Sequence, residues 1–272
     1  MRFPMIRDPR SLQIIILTFF TLLGQLYLKF QVTPLQIIVT LITCTVLELL
    51  LTYMKDGNIG FPKSAIITGL SIALLLRADT FIPFLIVSFV AIGSKHLLQY
   101  KGNHIFNPSN IGIVAIILLF PKTVATAPLQ WGFYVALLFI IAIVGTYMVY
   151  KVKRFSTILS FLGGFTVAGS ARVFFWDQSF RTIFNEFMWG GLLIFTFFMI
   201  TDPKTSPKST KGQISYGLVI AILGQIMIHV EVNGALFISL ALICLGRFLW
   251  IWGKDRWNRE YQTLDEPNNL TP

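Results

Sequence analysis

The segment HIFNPSNIG, residues 104–112, gathers His104, Asn107, Ser109 and Asn110 immediately ahead of an apolar run. A second polar segment, TDPKTSP from residue 201, sets the carboxylate of Asp202 where another apolar run ends. Amides and hydroxyls both donate and accept hydrogen bonds, and a carboxylate accepts them. Their chemistry is the holding of a polar ligand. Asn107-Pro108 reads as an N-cap followed by proline at the first helical position. Such a helix start points free N–H groups and the positive end of its dipole into the protein. Ser64 and Thr68, in the stretch SAIITG, add hydroxyls at the head of a third short apolar run. A half-helix start facing a half-helix end is a recurrent way to build a polar site inside a membrane bundle. The plainer alternative is that these residues cap broken helices and satisfy loose backbone, and the two roles are compatible.

Other chemistries find no residues to carry them. Cys44 and Cys244 stand isolated in apolar runs, and His96, His104 and His229 have neither HExxH nor paired spacing. No metal site, disulfide or iron–sulfur cluster is expected. There is no Gly-rich phosphate loop or dinucleotide fingerprint. Glu48 lies inside an apolar run, where an acid is costly and draws a functional hypothesis. It is a candidate for an ion pathway, with pairing to Lys55 or Lys95 as the alternative.

The elements that must position these residues are transmembrane. The chain of 272 residues is 55% hydrophobic and only 12% charged, about half the charge of a soluble domain. Apolar runs cover residues 11–30, 34–54, 63–77, 79–99, 108–120, 131–150, 155–176, 187–201, 213–230 and 233–253. Three of them, 63–77, 108–120 and 187–201, are too short as helices for a hydrocarbon core of about 30 Å and read as half-helices. With the N-terminus inside, sixteen lysines and arginines fall in inner segments against five outside. That bias fits the positive-inside rule. It puts both termini in the cytoplasm and assigns the net charge of +10 to topology, not nucleic acid. Residues 1–254 read as one transmembrane domain, and 255–272 as a short cytoplasmic tail ordered no further than about Trp257. GLSIALLLRADTFIP from Gly69 and GLLIFTFFMITDP from Gly191 echo one another, each a glycine opening an apolar helix that closes on a charged turn and proline. They fall in the third and eighth runs. The odd offset predicts two inverted five-helix repeats, about 11–120 and 131–253. The fold class is therefore an all-α polytopic membrane protein of about ten helices, some of them half-helices.

HIFNPSNIGIVA, preceded by SAIITGLSIALLL and followed by FMITDPKTSP, resembles membrane subunits of flavin-dependent ion-pumping redox complexes. These are the NqrB-type subunits of the sodium-translocating NADH:quinone reductase and the RnfD-type subunits of the Rnf complex. NPSN in place of NPA is closest to shorter relatives of the enediyne-biosynthesis type. The resemblance covers about residues 55–220. It implies ten helices in inverted repeats, the bacterial inner membrane, partner redox subunits and a flavin (riboflavin or FMN) buried in the bundle, with a quinone as a further candidate ligand. Asn107, Asn110 and Asp202, with Thr68, Ser109 and Ser64, are then the candidates for its polar edge. Full-length relatives also link FMN to a threonine in an outer loop. Here that loop is the short FPKTVATAPLQWG, in which Thr126 is followed by an additional Ala127. Thr126 is a distorted remnant, and a non-covalent flavin is expected. With no NADH or metal site of its own, the chain would take electrons from and pass them to other components. Two readings from other classes stay open: a transporter or channel for a small solute, ion or flavin on the same fold, and an accessory scaffold.

Overall fold

Polar caps and prolines decide where the helices begin. The computed structural model describes residues 8–126 and 135–265, with side chains through residue 258. Helix α1 (Pro9–Leu26) is capped by Asp8, whose carboxylate accepts from the Arg10 N–H, with Pro9 in the first turn. Helix α2 (Pro34–Asp56) opens on a capping box between Thr33 and Gln36. The Gln36 amide also donates to the carbonyls of Ala78 and Thr80 at 3.0 and 3.1 Å. Each such cap satisfies N–H groups that the first turn leaves unpaired.

Next come α3 (Lys63–Leu75), β1 (Leu76–Ala78), α4 (Ile82–Leu97), the hairpin strands β2 (Gln99–Tyr100) and β3 (Asn103–His104), α5 (Pro108–Leu119) and β4 (Val124–Thr126). The second half holds α6 (Val135–Val152), α7 (Phe155–Trp176), α8 (Phe180–Phe187), α9 (Gly190–Ile194) running into a π-helical turn at Phe195–Met199, α10 (Thr210–His229) and α11 (Ala235–Asp265). Among the described residues six helices (α1, α2, α6, α7, α10 and α11) are long and apolar enough to cross a membrane. A seventh such unit is α8 with α9 and its π turn, bent by 54° at the break. The chain is a multi-pass membrane protein. Accordingly its outward face is apolar, with Phe19, Phe139 and Phe174 all more than half exposed, the inverse of a water-facing surface.

The short helix α3 runs directly into extended backbone, and α5 reaches its strand through a turn at residues 121–123. β1 and β4 pair antiparallel, Leu76 opposite Thr126 and Ala78 opposite Val124. Thirteen helical residues rise about 20 Å and three extended ones about 10 Å, together about the hydrocarbon thickness. The strand pairing satisfies backbone groups that lipid cannot. These strands depart from a purely helical expectation.

Packing follows a pattern within each half. In the first, α1 packs on α3, α2 on α4, and α4 on α5; in the second, α6 packs on α9, α7 on α10, and α10 on α11. The halves meet through α1 against α6 and α5 against α11. Small residues set the closest approach: a Cβ on Gly217 of α10 would lie 2.5 Å from the Thr157 carbonyl of α7, and such contacts let helix backbones nearly touch.

Several sequence expectations need correction. The first apolar run stops being helical at Leu26, and Lys29 turns the chain at φ 52°. Gly69 lies in the middle of α3 rather than at its start, where it faces Leu41 of α2. The run 187–201 is not one helix, because the break near Met188 separates it from α8. The tail does not fall out of order near Trp257, since α11 continues to Asp265.

Candidate functional site

Two broken-helix ends meet at one end of the bundle. The β2–β3 hairpin turns through Lys101 and Gly102, both at positive φ (49° and 74°), the geometry of a tight two-residue turn. It delivers His104 and then Asn107 to the start of α5. Asn107 caps that helix: its Oδ1 accepts from the Asn110 N–H at 3.1 Å and from the Ser109 hydroxyl at 2.8 Å. Its Nδ2 donates to Asp202 Oδ2 at 3.1 Å. Asp202 follows the π turn of the other half, and its second oxygen accepts from the Lys204 N–H at 3.0 Å. The π turn ends with the Thr201 hydroxyl bonded to the Phe197 carbonyl at 2.6 Å. Widened turns of this kind occur often at functional sites.

Ser64, Thr68, Asn107, Ser109 and Asp202 line a single cavity of about 120 Å³. Asn110 does not. It is fully buried, its Nδ2 donates to the Phe237 carbonyl of α11 at 3.0 Å, and its Oδ1 has no protein partner. The helical period turns it away from Asn107, toward the other half. His104, from the same polar segment as Asn107, also lines the cavity, and the sequence reading missed further members of the wall: Arg10 and Gln13 of α1, Lys204, and the aromatic pair Phe197 and Phe198. Gly145 of α6 makes room for Phe197, since a Cβ there would strike the ring.

Burial raises the Asp202 carboxyl above the ordinary carboxylate range, against the Lys204 N–H and the Asn107 amide, which favour the charged form. His104 is held down to about 4, first by burial and then by Lys204 and Lys95. The geometry agrees with a neutral ring. Nδ1 faces the Lys95 carbonyl at 3.2 Å, which can only accept, and Nε2 faces the Lys204 ammonium at 3.4 Å, which can only donate.

The comparisons with known proteins bear on this arrangement. The model of the NQR2, RnfD, RnfE family matches residues 7–132 and 127–238, most of the chain and both polar motifs. The chain belongs to this family. It is similar to the D subunit of the proton-translocating ferredoxin:NAD(+) oxidoreductase complex of Clostridium ljungdahlii, 27% identical over 247 residues, covering 70% of this chain and 72% of that protein. These matches establish the family; they do not carry the finer likeness to enediyne-type relatives.

Within this family member, the other candidates sit apart from the cavity. Glu48 of α2 is buried and bonded to the Lys95 ammonium of α4, with His96 Nε2 at 3.0 Å from its other oxygen. Lys95 rather than Lys55 is its partner. His96 is part of this cluster. Thr126 is half-buried in β4 at the opposite end of α5, where it lines a cavity of about 310 Å³ beside Trp189 and Gly234. Ala127 to Leu129, the rest of ATAPL, lie outside the described residues. A second buried cluster escaped the sequence reading. Arg172 of α7 pairs with Glu186 of α8 at 2.8 Å and bonds Gln225 of α10 at 2.5 Å and Gln178 at 2.9 Å. Its signal was an acid, Glu186, ahead of an apolar run and fourteen residues beyond an arginine. Among the described residues no group of three or more His, Cys, Asp or Glu could hold a metal ion.

Proposed function

We propose that this chain is a membrane subunit of an electron-transfer complex and holds a flavin non-covalently at the Asn107–Asp202 cavity. The observation that carries the reading is the 3.1 Å contact between Asn107 and Asp202. It joins the two family motifs, 95 residues apart, in a cavity that also receives Ser64, Thr68 and Ser109. The donor set suits the edge of an isoalloxazine. Amide and hydroxyl groups hydrogen-bond ring carbonyls, and a carboxyl group accepts from a ring N–H. Met148, Phe197 and Phe198 supply the apolar wall.

The volume limits the fit. Small-molecule sites hold about 300–1,000 Å³, so about 120 Å³ accepts the polar edge of a flavin ring and not the whole molecule. Full occupancy requires the wall at Lys204 and His104, or at Phe198, to move outward. A bound flavin would supply redox chemistry that no side chain here can provide. The chain's own residues would orient the ring, exclude water, and hold a proton at the Asp202 carboxyl. Asn110 acts as a positioning residue, tying α5 to α11.

The same reading includes ten membrane crossings in two inverted repeats of about 11–120 and 131–253, in one domain. It is supported by the packing pattern, since each half repeats the same three helix pairs and the halves meet between corresponding helices, α1 with α6 and α5 with α11. It also includes the inner membrane, cytoplasmic termini, partner redox subunits and a quinone as candidate reactant. The relative's place in a ferredoxin:NAD(+) oxidoreductase complex supports the partners.

The test is the visible spectrum of the purified full-length protein in detergent. Oxidised-flavin bands that bleach with dithionite, and that fall in Asn107→Ala and Asp202→Ala, are the expected result. A colourless preparation without extractable flavin overturns the reading and leaves transport as the function to examine.

A further inference from the structure

A second cavity adjoins the first on the far side of the His104–Lys204 contact. It has a volume of about 320 Å³, within the range of small-ligand sites. Four cationic side chains from separate parts of the fold reach it: Lys101 from the β2–β3 turn, Lys204 and Lys208 from the segment after the π turn, and Arg247 from α11. Lys101 is ion-paired with Asp255 at 2.5 Å. Among the described residues, Lys204, Lys208 and Arg247 have no ion pair. Lys204 is spent on a neutral ring nitrogen at 3.4 Å, and Arg247 donates one N–H to the Thr205 carbonyl at 2.7 Å, leaving four of its five donors. Of the acids near it, Asp202 turns its carboxylate into the other cavity toward Asn107, and Asp255 is held by Lys101 and the Tyr100 hydroxyl.

Converging cations without a counter-anion repel one another, and a bound anion removes that cost. The fork of a guanidinium beside point-charge ammoniums is the donor set that suits phosphate oxygens. The depth of the cavity agrees with such a ligand. Trp250, Trp252 and Trp257 are exposed on α11 around the lining residues Arg247, Phe248 and Ile251. Exposed tryptophans of a membrane protein collect at headgroup level. Basic pockets between transmembrane helices at that level take anionic headgroups.

We propose that this cavity binds a phosphate group, with Lys204, Lys208 and Arg247 as its ligands, carried either by an anionic phospholipid or by a soluble phosphate compound. The site shares the wall at His104 and Lys204 with the Asn107–Asp202 cavity, but its ligands Lys208 and Arg247 lie outside that cavity and the proposal does not depend on flavin being bound there.

The test uses the full-length protein in a maltoside detergent that contains no phosphate. It is titrated with phosphatidylglycerol in mixed micelles, and separately with inorganic phosphate at constant ionic strength. Binding is counted by native mass spectrometry and followed by the unfolding midpoint. Saturable binding of either probe is expected, with a loss of about tenfold or more in affinity for Arg247→Gln and Lys208→Gln, each removing a charge-assisted contact. Lys55→Gln, a lysine outside the cavity, should bind as wild type. Binding of phosphatidylglycerol alone assigns the lipid, and binding of phosphate alone assigns the soluble ligand. Among the described residues the Lys208 side chain has no hydrogen bond or ion pair, only its carbonyl accepting from Gln213, so its variant reports even if Arg247→Gln fails to fold. The proposal is overturned if neither probe binds, or if Lys208→Gln binds both as tightly as wild type.

Discussion

Asn107 caps α5 and holds Asp202 with one amide, and the cost of losing those two contacts can be worked from the structure. Asn107→Ala removes the acceptor that caps α5 at 3.1 Å, a loss of about 1 kcal/mol. It also strips Asp202 of the donor at 3.1 Å, and a buried acceptor left short costs about 1–3 kcal/mol. The expected destabilisation is about 2–4 kcal/mol. Asn107→Ser keeps an acceptor over the cap but cannot reach Asp202, so it should recover about 1 kcal/mol and no more. The decisive experiment is a double-mutant cycle with Asp202→Ala, read by reversible unfolding in mixed micelles. Groups in one hydrogen-bond network couple by about 0.5–3 kcal/mol. A coupling at the upper half of that range is expected, because removing both partners leaves neither unpaired. Effects that add to within about 0.5 kcal/mol would refute the claim that the two motifs act as one unit.

His104 should give the region around the cavity its acid sensitivity. Its folded value of about 4 lies below the ordinary 6.5, so the folded state favours the neutral ring. The stability it contributes is complete above about 6.5 and declines as the pH falls toward 4. His104→Gln should flatten that part of the unfolding profile, and superimposable profiles would remove the assignment. The pair Arg172–Glu186 is almost wholly enclosed, with side chains 6% and 2% exposed. Glu186→Gln should destabilise by about 3–5 kcal/mol, because it leaves a buried guanidinium without its counter-charge. Arg172→Met combined with Glu186→Leu should cost less than either single change. A double variant as unstable as the sum of the singles would count against that account.

The sequence by itself determined the medium, the helix starts and the identity of the polar motifs. Long apolar runs admit no other environment, and Asp8-Pro9, Thr33-Pro34 and Asn107-Pro108 begin α1, α2 and α5 because capping is a matter of neighbouring residues. The pairing of Asn107 with Asp202 was legible only as two similar breaks in two apolar runs. Tertiary structure decided what those breaks face. Asn110 was a ligand candidate beside the cap residue Asn107 in the sequence, yet its place in the first helical turn sends it to Phe237 and out of the cavity. Phe197 and Phe198 enter the wall from within a π turn and Lys204 from the segment that follows it, and no spacing rule anticipates such a turn. Glu48 could have turned to Lys55 on its own helix, but α4 packs against α2 and presents Lys95 and His96 first. Local rules set where each helix starts. Which side chains meet is set by packing between helices distant in the chain, and that information is carried by the shapes of the facing surfaces, not by the order of residue types.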